Sequence, residues 1–260
     1  MKGFKIRTAI GILTFVLMCG TAWAAGIEVA IGAWNQAPDG DISYKPLSAQ
    51  DSLSLKDNLK FSSTTKVFGR MKIEAPFIPS IYLMATPMEF SASGSKNSTF
   101  QFGNIKFIAS APFKSKLRLD HYDIGLCYGI PGLKLATAGV LNFDLGLDAR
   151  IIDFKAQITG QETIGGTTIT ESKALTVPVP MLYLGLQVSP VKWLAVEGEF
   201  RGVIYSGNHY YDCIGRAKVK PVGPVFVAAG YRYEKADIDI SDVKADVSFG
   251  GLFGEVGFAF

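Results

Sequence analysis

Ser206, His209 and Asp212 bring a hydroxyl, an imidazole and a carboxylate into one short stretch, the ingredients of a nucleophile, its base and an orienting acid. Their spacing matches no protease or lipid-deacylase pattern, and Ser, Asn and His are ordinary residues of short turns. The stretch is read as a rim turn, and no catalytic residue is assigned. His121 and Asp123 stand two apart, on one face of an extended segment. No third ligand accompanies them, so an internal hydrogen bond is expected there, with no metal and no cofactor.

A larger set of charges recurs at alternate positions: Arg70, Lys72 and Glu74; Asp123; Asp144, Asp148 and Arg150; Glu197, Glu199 and Arg201; Arg216 and Lys218; Arg232 and Glu234; Glu255. Apolar residues fill the intervening positions. Leu141, Phe143, Leu145, Leu147, Ala149 and Ile151 alternate with Asn142, Asp144, Gly146, Asp148 and Arg150, a period of two that no amphipathic helix produces. If the apolar face points outward, the charges line an interior. One reading is a polar conduit whose charges select solutes. The other, preferred, is a salt-bridged plug, because ten strands enclose little more than the eight whose interior side chains just fill.

The elements that must position these charges are strands. The pattern predicts ten: Gly26 to Asn35, Thr65 to Ala75, Ser80 to Ser91, Leu117 to Gly129, a fifth around Leu141 to Ile151, Val177 to Val188, a seventh around Leu194 to Ile204, Tyr210 to Lys220, a ninth from Val225, and Val247 to Phe260. Gln36 to Thr64, Ser93 to Lys116 and Ala156 to Leu175 read as long polar loops. Pro76 to Pro79, Ile130-Pro131-Gly132, Ser189-Pro190 and Pro221 to Pro224 read as tight turns. The region Phe100 to Ile108 is treated as loop; reading it differently changes the count to eight or twelve. Long and short connections alternate, as in outer-membrane barrels with short periplasmic turns and longer external loops. Strands of about 10 residues, rising ~3.3 Å each and tilted by ~45°, reach ~23 Å, close to the apolar band of such barrels. Tyr44, Phe100, Phe102 and Phe107 in the long loops either face a hydrophobic ligand or lipopolysaccharide, or fold back as a cap.

Lys2, Lys5 and Arg7, the apolar run Ile10 to Met18 and the site Ala22-Trp23-Ala24 read as a secretory leader cut near Ala24, too short for a spanning helix. The expected division is 1–24 leader and 25–260 barrel. The chain carries 26 Lys plus Arg against 23 Asp plus Glu, and losing the three leader bases balances them, so nothing supports nucleic-acid binding. Cys127 and Cys213 fall on opposite faces of their strands and are expected to stay unbonded and buried.

The Pro-x-Pro-Met-Leu-Tyr of Pro178 to Tyr183, the Gly-Tyr-Arg-Tyr of Gly230 to Tyr233 and the run Asp246 to Phe253 with Gly250-Gly251 make about two thirds of the chain resemble the paired-glycine (GlyGly) family of bacterial outer membrane β-barrel proteins. The resemblance implies location and architecture and carries no catalytic residues. Phe258 and Phe260 are similar to the terminal signal read by the barrel-assembly machinery, although Glu255 stands where a glycine is usual. The expectation is an all-β, up-and-down antiparallel transmembrane β-barrel of a Gram-negative outer membrane, with a structural or small-solute-handling role. The alternatives are a channel for small hydrophobic or amphipathic molecules and, less favoured, an outer-membrane enzyme. Outer membrane lipid, lipopolysaccharide, the assembly machinery and a small hydrophobic ligand are the expected partners.

Overall fold

A computed structural model describes residues 26–75, 78–240 and 242–260; the expected leader, part of the turn at Pro76 and Phe77, and Ser241 lie outside them. Among the described residues there are fourteen strands: β1 Gly26–Tyr44, β2 Leu53–Ser54, β3 Thr64–Glu74, β4 Ser80–Thr86, β5 Glu89–Gly94, β6 Phe100–Phe102, β7 Ile105–Phe107, β8 Phe113–Gly129, β9 Leu141–Gln161, β10 Thr168–Val191, β11 Leu194–Tyr205, β12 Asn208–Val222, β13 Val225–Ile240 and β14 Val243–Ala259. Neighbours pair antiparallel from β14 through β13, β12, β11, β10, β9 and β8 to β4, β3 and β1, and β1 pairs back with β14. β4 and β5 form one stave, both pairing with β8, so the closed barrel has ten. The stave breaks at Pro87, which has no N–H for the ladder. Its carbonyl instead accepts from Gln36 Nε2 at 2.9 Å.

Alternation decides which side chains enter the barrel. On β14, Phe249, Phe253 and Glu255 are buried while Leu252, Val256 and Phe258 are exposed. On β8, His121, Asp123 and Cys127 are buried while Tyr122, Ile124, Leu126 and Tyr128 are exposed. Aromatic rings lie across glycines on neighbouring strands: a Cβ on Gly257 would stand 2.2 Å from the Val29 carbonyl and 2.5 Å from the Phe226 ring.

Several expected boundaries move. β1 does not end at Asn35: residues 37–44 pair in unbroken register with 243–250 of β14, and that pairing overrides the Pro38-Asp39-Gly40 turn signal. The loop expected over Ala156 to Leu175 shrinks to residues 162–167, since β9 and β10 pair without interruption as far as Gln161 and Thr168. Phe154, Ala156 and Ile158 keep the inward parity there, while the outward residues become polar. Phe113 to Lys116 likewise belongs to β8. The turn after β8 is longer than Ile130-Pro131-Gly132 and carries a helical turn, Leu133–Ala136. Phe100 to Ile108 contributes no stave; β6 and β7 form a separate hairpin.

Gly26 and Phe260 meet at one end, where the Ile27 amide donates to the Phe260 carbonyl. We call that end lower. At the upper end, residues 45–63 and the β6–β7 hairpin fold inward, and Leu53, Leu55, Leu59, Phe61, Phe100, Phe102 and Phe107 pack with Trp34, Phe68, Met88, Phe90, Phe113 and Phe249 in one buried cluster.

Candidate functional site

The thirteen charged positions singled out above, with Arg216 and Lys218, all lie on the inward parity, and the barrel gathers them into tiers. Asp212 of β12 centres the upper tier. It accepts from Arg232 Nε at 2.9 Å, from Arg232 Nη2 at 2.7 Å and from Arg150 Nη2 at 2.6 Å. Arg150 also reaches Asp123 at 2.5 Å and donates to the Tyr210 hydroxyl at 2.8 Å. Tyr210 in turn donates to Glu234. Arg232 crosses the bore from β13 to β4 and β8, meeting Thr86 Oγ1 and His121 Nε2 at 3.0 Å each, and its guanidinium lies 4.6 Å from the Trp34 ring.

Arg201 anchors the middle tier between the rings of Tyr82, at 4.6 Å, and Tyr183, at 5.0 Å. It donates to Glu199 at 2.8 Å and faces Asp148 at 3.4 Å. Arg216 bridges Glu197, Glu199 and Glu255. Arg70 grips Glu255 with two bonds, 2.7 and 3.0 Å, and Glu28 at 2.6 Å. Below, Lys218 holds Glu28 and Glu197, and Lys72 holds Asp144 and Glu74 at 2.7 Å each. Planar two-pronged pairing suits guanidinium to this crowding, and mutual satisfaction is what makes buried charges tolerable.

Below the arginines a chamber of about 820 Å³ opens at the lower end, lined by Lys72, Asp144, Gln187, Glu197 and Lys218 among others. Beneath Trp34 and Phe253 the residual void is about 10 Å³, around the least that holds one water. The arrangement can bind a small polar solute from below. Between the chamber and the upper end lie the paired arginines of the upper tier and, above them, the aromatic cluster.

Sequence parity missed several contributors to the tiers, among them Glu28, Tyr82, Thr86, Tyr183, Tyr210 and Asp212. Proximity in sequence groups Asp212 with Ser206 and His209, yet Arg216 and Lys218 share its parity and point the same way. The supposed trio is not assembled. Asp212 is buried inside, whereas His209 lies outside, 3.7 Å from Asp237 and stacked on Tyr211. His121 Nδ1 meets the Leu119 carbonyl at 3.1 Å, and Arg232, rather than Asp123, is its hydrogen-bonded side chain. Cys127 is buried as expected, but Cys213 is exposed, because its parity is the outward one; both are free. Tyr44, Phe100, Phe102 and Phe107 are buried in the cap, the second of the two placements expected for them.

No protein-family model matches the sequence, and neither does any curated protein. Among solved structures, the translocator domain of the autotransporter NalP from Neisseria meningitidis is similar at 11% identity, over 100% of this chain and 96% of that one, with a TM-score of 0.46. Ail, the attachment invasion locus protein of Yersinia pestis, aligns at 11% identity over 91% and 99%, with a TM-score of 0.29. The P. putida toluene transporter TodX aligns at 9% identity over 90% and 89%, also at 0.29. Likeness at this level assigns neither ligand nor role.

Proposed function

We propose that this chain is an outer-membrane β-barrel of structural role whose bore is shut and whose lower chamber takes up small polar solutes from the periplasm. The observation that carries the shut bore is Arg232, which links β13 to the opposite staves β4 and β8, with the aromatic cluster packed above it. Support for the membrane is the outward face: Ile31, Val67, Leu126, Leu147, Leu182, Val227 and Leu252 are exposed around the ring, with Tyr122 and Tyr231 near its upper margin and Trp193, Tyr128 and Phe258 near its lower. The ladder closes into a ring around that belt, the arrangement that hydrocarbon favours.

The paired-glycine family remains the finer reading. Gly251 fits it physically, since a Cβ there would stand 1.7 Å from the Asn35 carbonyl. Phe258 and Phe260, exposed and stacked on each other at the lower margin, are the proposed handle for the assembly machinery. Secretion through the leader, with lipid and lipopolysaccharide around the belt, completes the proposal. Passage of hydrophobic molecules is the weaker reading because the aromatic cluster is filled.

The test is planar-bilayer recording of the purified chain. A silent membrane is expected, and a steady ion current would overturn the shut bore. Recovery of the mature chain as a freely soluble periplasmic monomer would overturn the membrane assignment.

A further inference from the structure

The upper rim is uneven. β10 runs up to Thr168, but β11 ends at Tyr205 and pairs with β10 only from Leu182 downward. Among the described residues no strand pairs with the far edge of β10 between Thr168 and Met181, while β9 occupies its other edge throughout. Pro178 and Pro180 sit in that stretch without disturbing the β9 register. Having no N–H, they show that even-numbered residues turn their backbone groups toward the open edge. Thr168, Thr170, Ser172, Ala174 and Thr176 therefore present free donors and acceptors there, and all five are exposed. Natural edges are usually blunted by charge, proline or a bulge. Here proline guards only the base.

We propose that this edge pairs with the same edge of a second copy of the chain. An antiparallel pair centred on Ser172 sets Thr170 opposite Ala174 and Thr168 opposite Thr176, each with both backbone bonds available. On the other parity it sets Glu171 opposite Lys173 twice and Ile169 opposite Leu175 twice. The next registers, centred on Glu171 or Lys173, oppose like charges at their centres, which is unfavourable across a strand pair. The segment is complementary to itself in one register, as a two-fold interface requires. Copies in one membrane run their β10 strands in the same sense, so antiparallel pairing joins copies standing in two facing membranes. That last step rests on the membrane reading above; the edge pairing does not.

Ser172→Cys, with the native cysteines replaced by serine, places its thiol against its own copy on the two-fold axis. In detergent under mild oxidant a covalent dimer is expected, and Gln157→Cys on the outward face of β9 is expected to give none. Ala174→Pro removes an edge donor on the parity that Pro178 already occupies. It should abolish the Ser172→Cys dimer while strand-type circular dichroism and heat-modifiable gel mobility stay unchanged. Absence of the Ser172→Cys dimer, or its persistence with Ala174→Pro, overturns the pairing, as would an edge taken by a foreign strand that leaves this chain monomeric. Vesicles carrying the chain should cluster, and those carrying Ala174→Pro should not; clustering indifferent to Ala174→Pro also overturns it. A chain that fails to float with vesicles refutes the membrane reading instead, and the detergent result then decides the pairing.

Discussion

Asp212 is the nearest carboxylate to Arg232 and shares Arg150 with Asp123, with Glu234 farther from both, so truncating it leaves two buried guanidinium groups short of charge. Asp212→Ala should cost about 3–5 kcal/mol, read as a lowered urea midpoint in micelles. Lys116→Ala, which breaks an exposed pair with Glu89, should cost at most ~1 kcal/mol. Asp51 offers a pH test at the other end. Burial pushes its carboxyl up, but backbone amides of Gln101, Ser48 and Leu47 outweigh that and hold it below the usual range. A depressed folded value means the contribution is present at neutral pH and fades as acid carries the solution below the unfolded value of ~3.9. Proteolytic nicking within residues 45–63 should therefore rise under acid, and Asp51→Asn should show the raised rate at neutral pH. Inward charges such as Asp144 and Glu255 were legible because alternation names a face. What parity does not supply is the cross-bore partner, which depends on barrel circumference and stagger.

At the scale of elements, the staves were legible wherever one face met an apolar environment, because polar and apolar residues then separate cleanly. Above the belt both sides of β9 and β10 include polar residues, and threonines that favour strands looked like loop. The hairpin β6–β7 was hidden for a related reason: its three phenylalanines serve a cap and not a stave. Replacing residues 98–108 with a flexible Gly/Ser linker separates the two seals. Bilayer recordings should stay silent, since the arginine tiers below are untouched, while residues 45–63 become open to protease. A steady current from that variant would assign the seal to the cap alone.

Across the whole molecule, the outward face from Leu141 to Ile151, rising ~3.3 Å per residue at a tilt of ~45°, is about 25 Å tall, the height of a bilayer's apolar band in such barrels. Its strands continue well beyond that height on the β8–β9–β10 side and stop short at β11, so the barrel ends in a wall with a gap rather than a level rim. The meeting of β1 with β14 has a kinetic meaning as well. It joins the segments farthest apart along the chain, Ile27 against Phe260, so the loop to be closed is nearly the whole polypeptide. Hairpins such as β9–β10 can zip locally, but the seam must come last, and until it does two bare borders flank a curling sheet. A chain cut before β14 has no smaller cylinder to retreat to, and is expected to accumulate as aggregate rather than as a stable partial product.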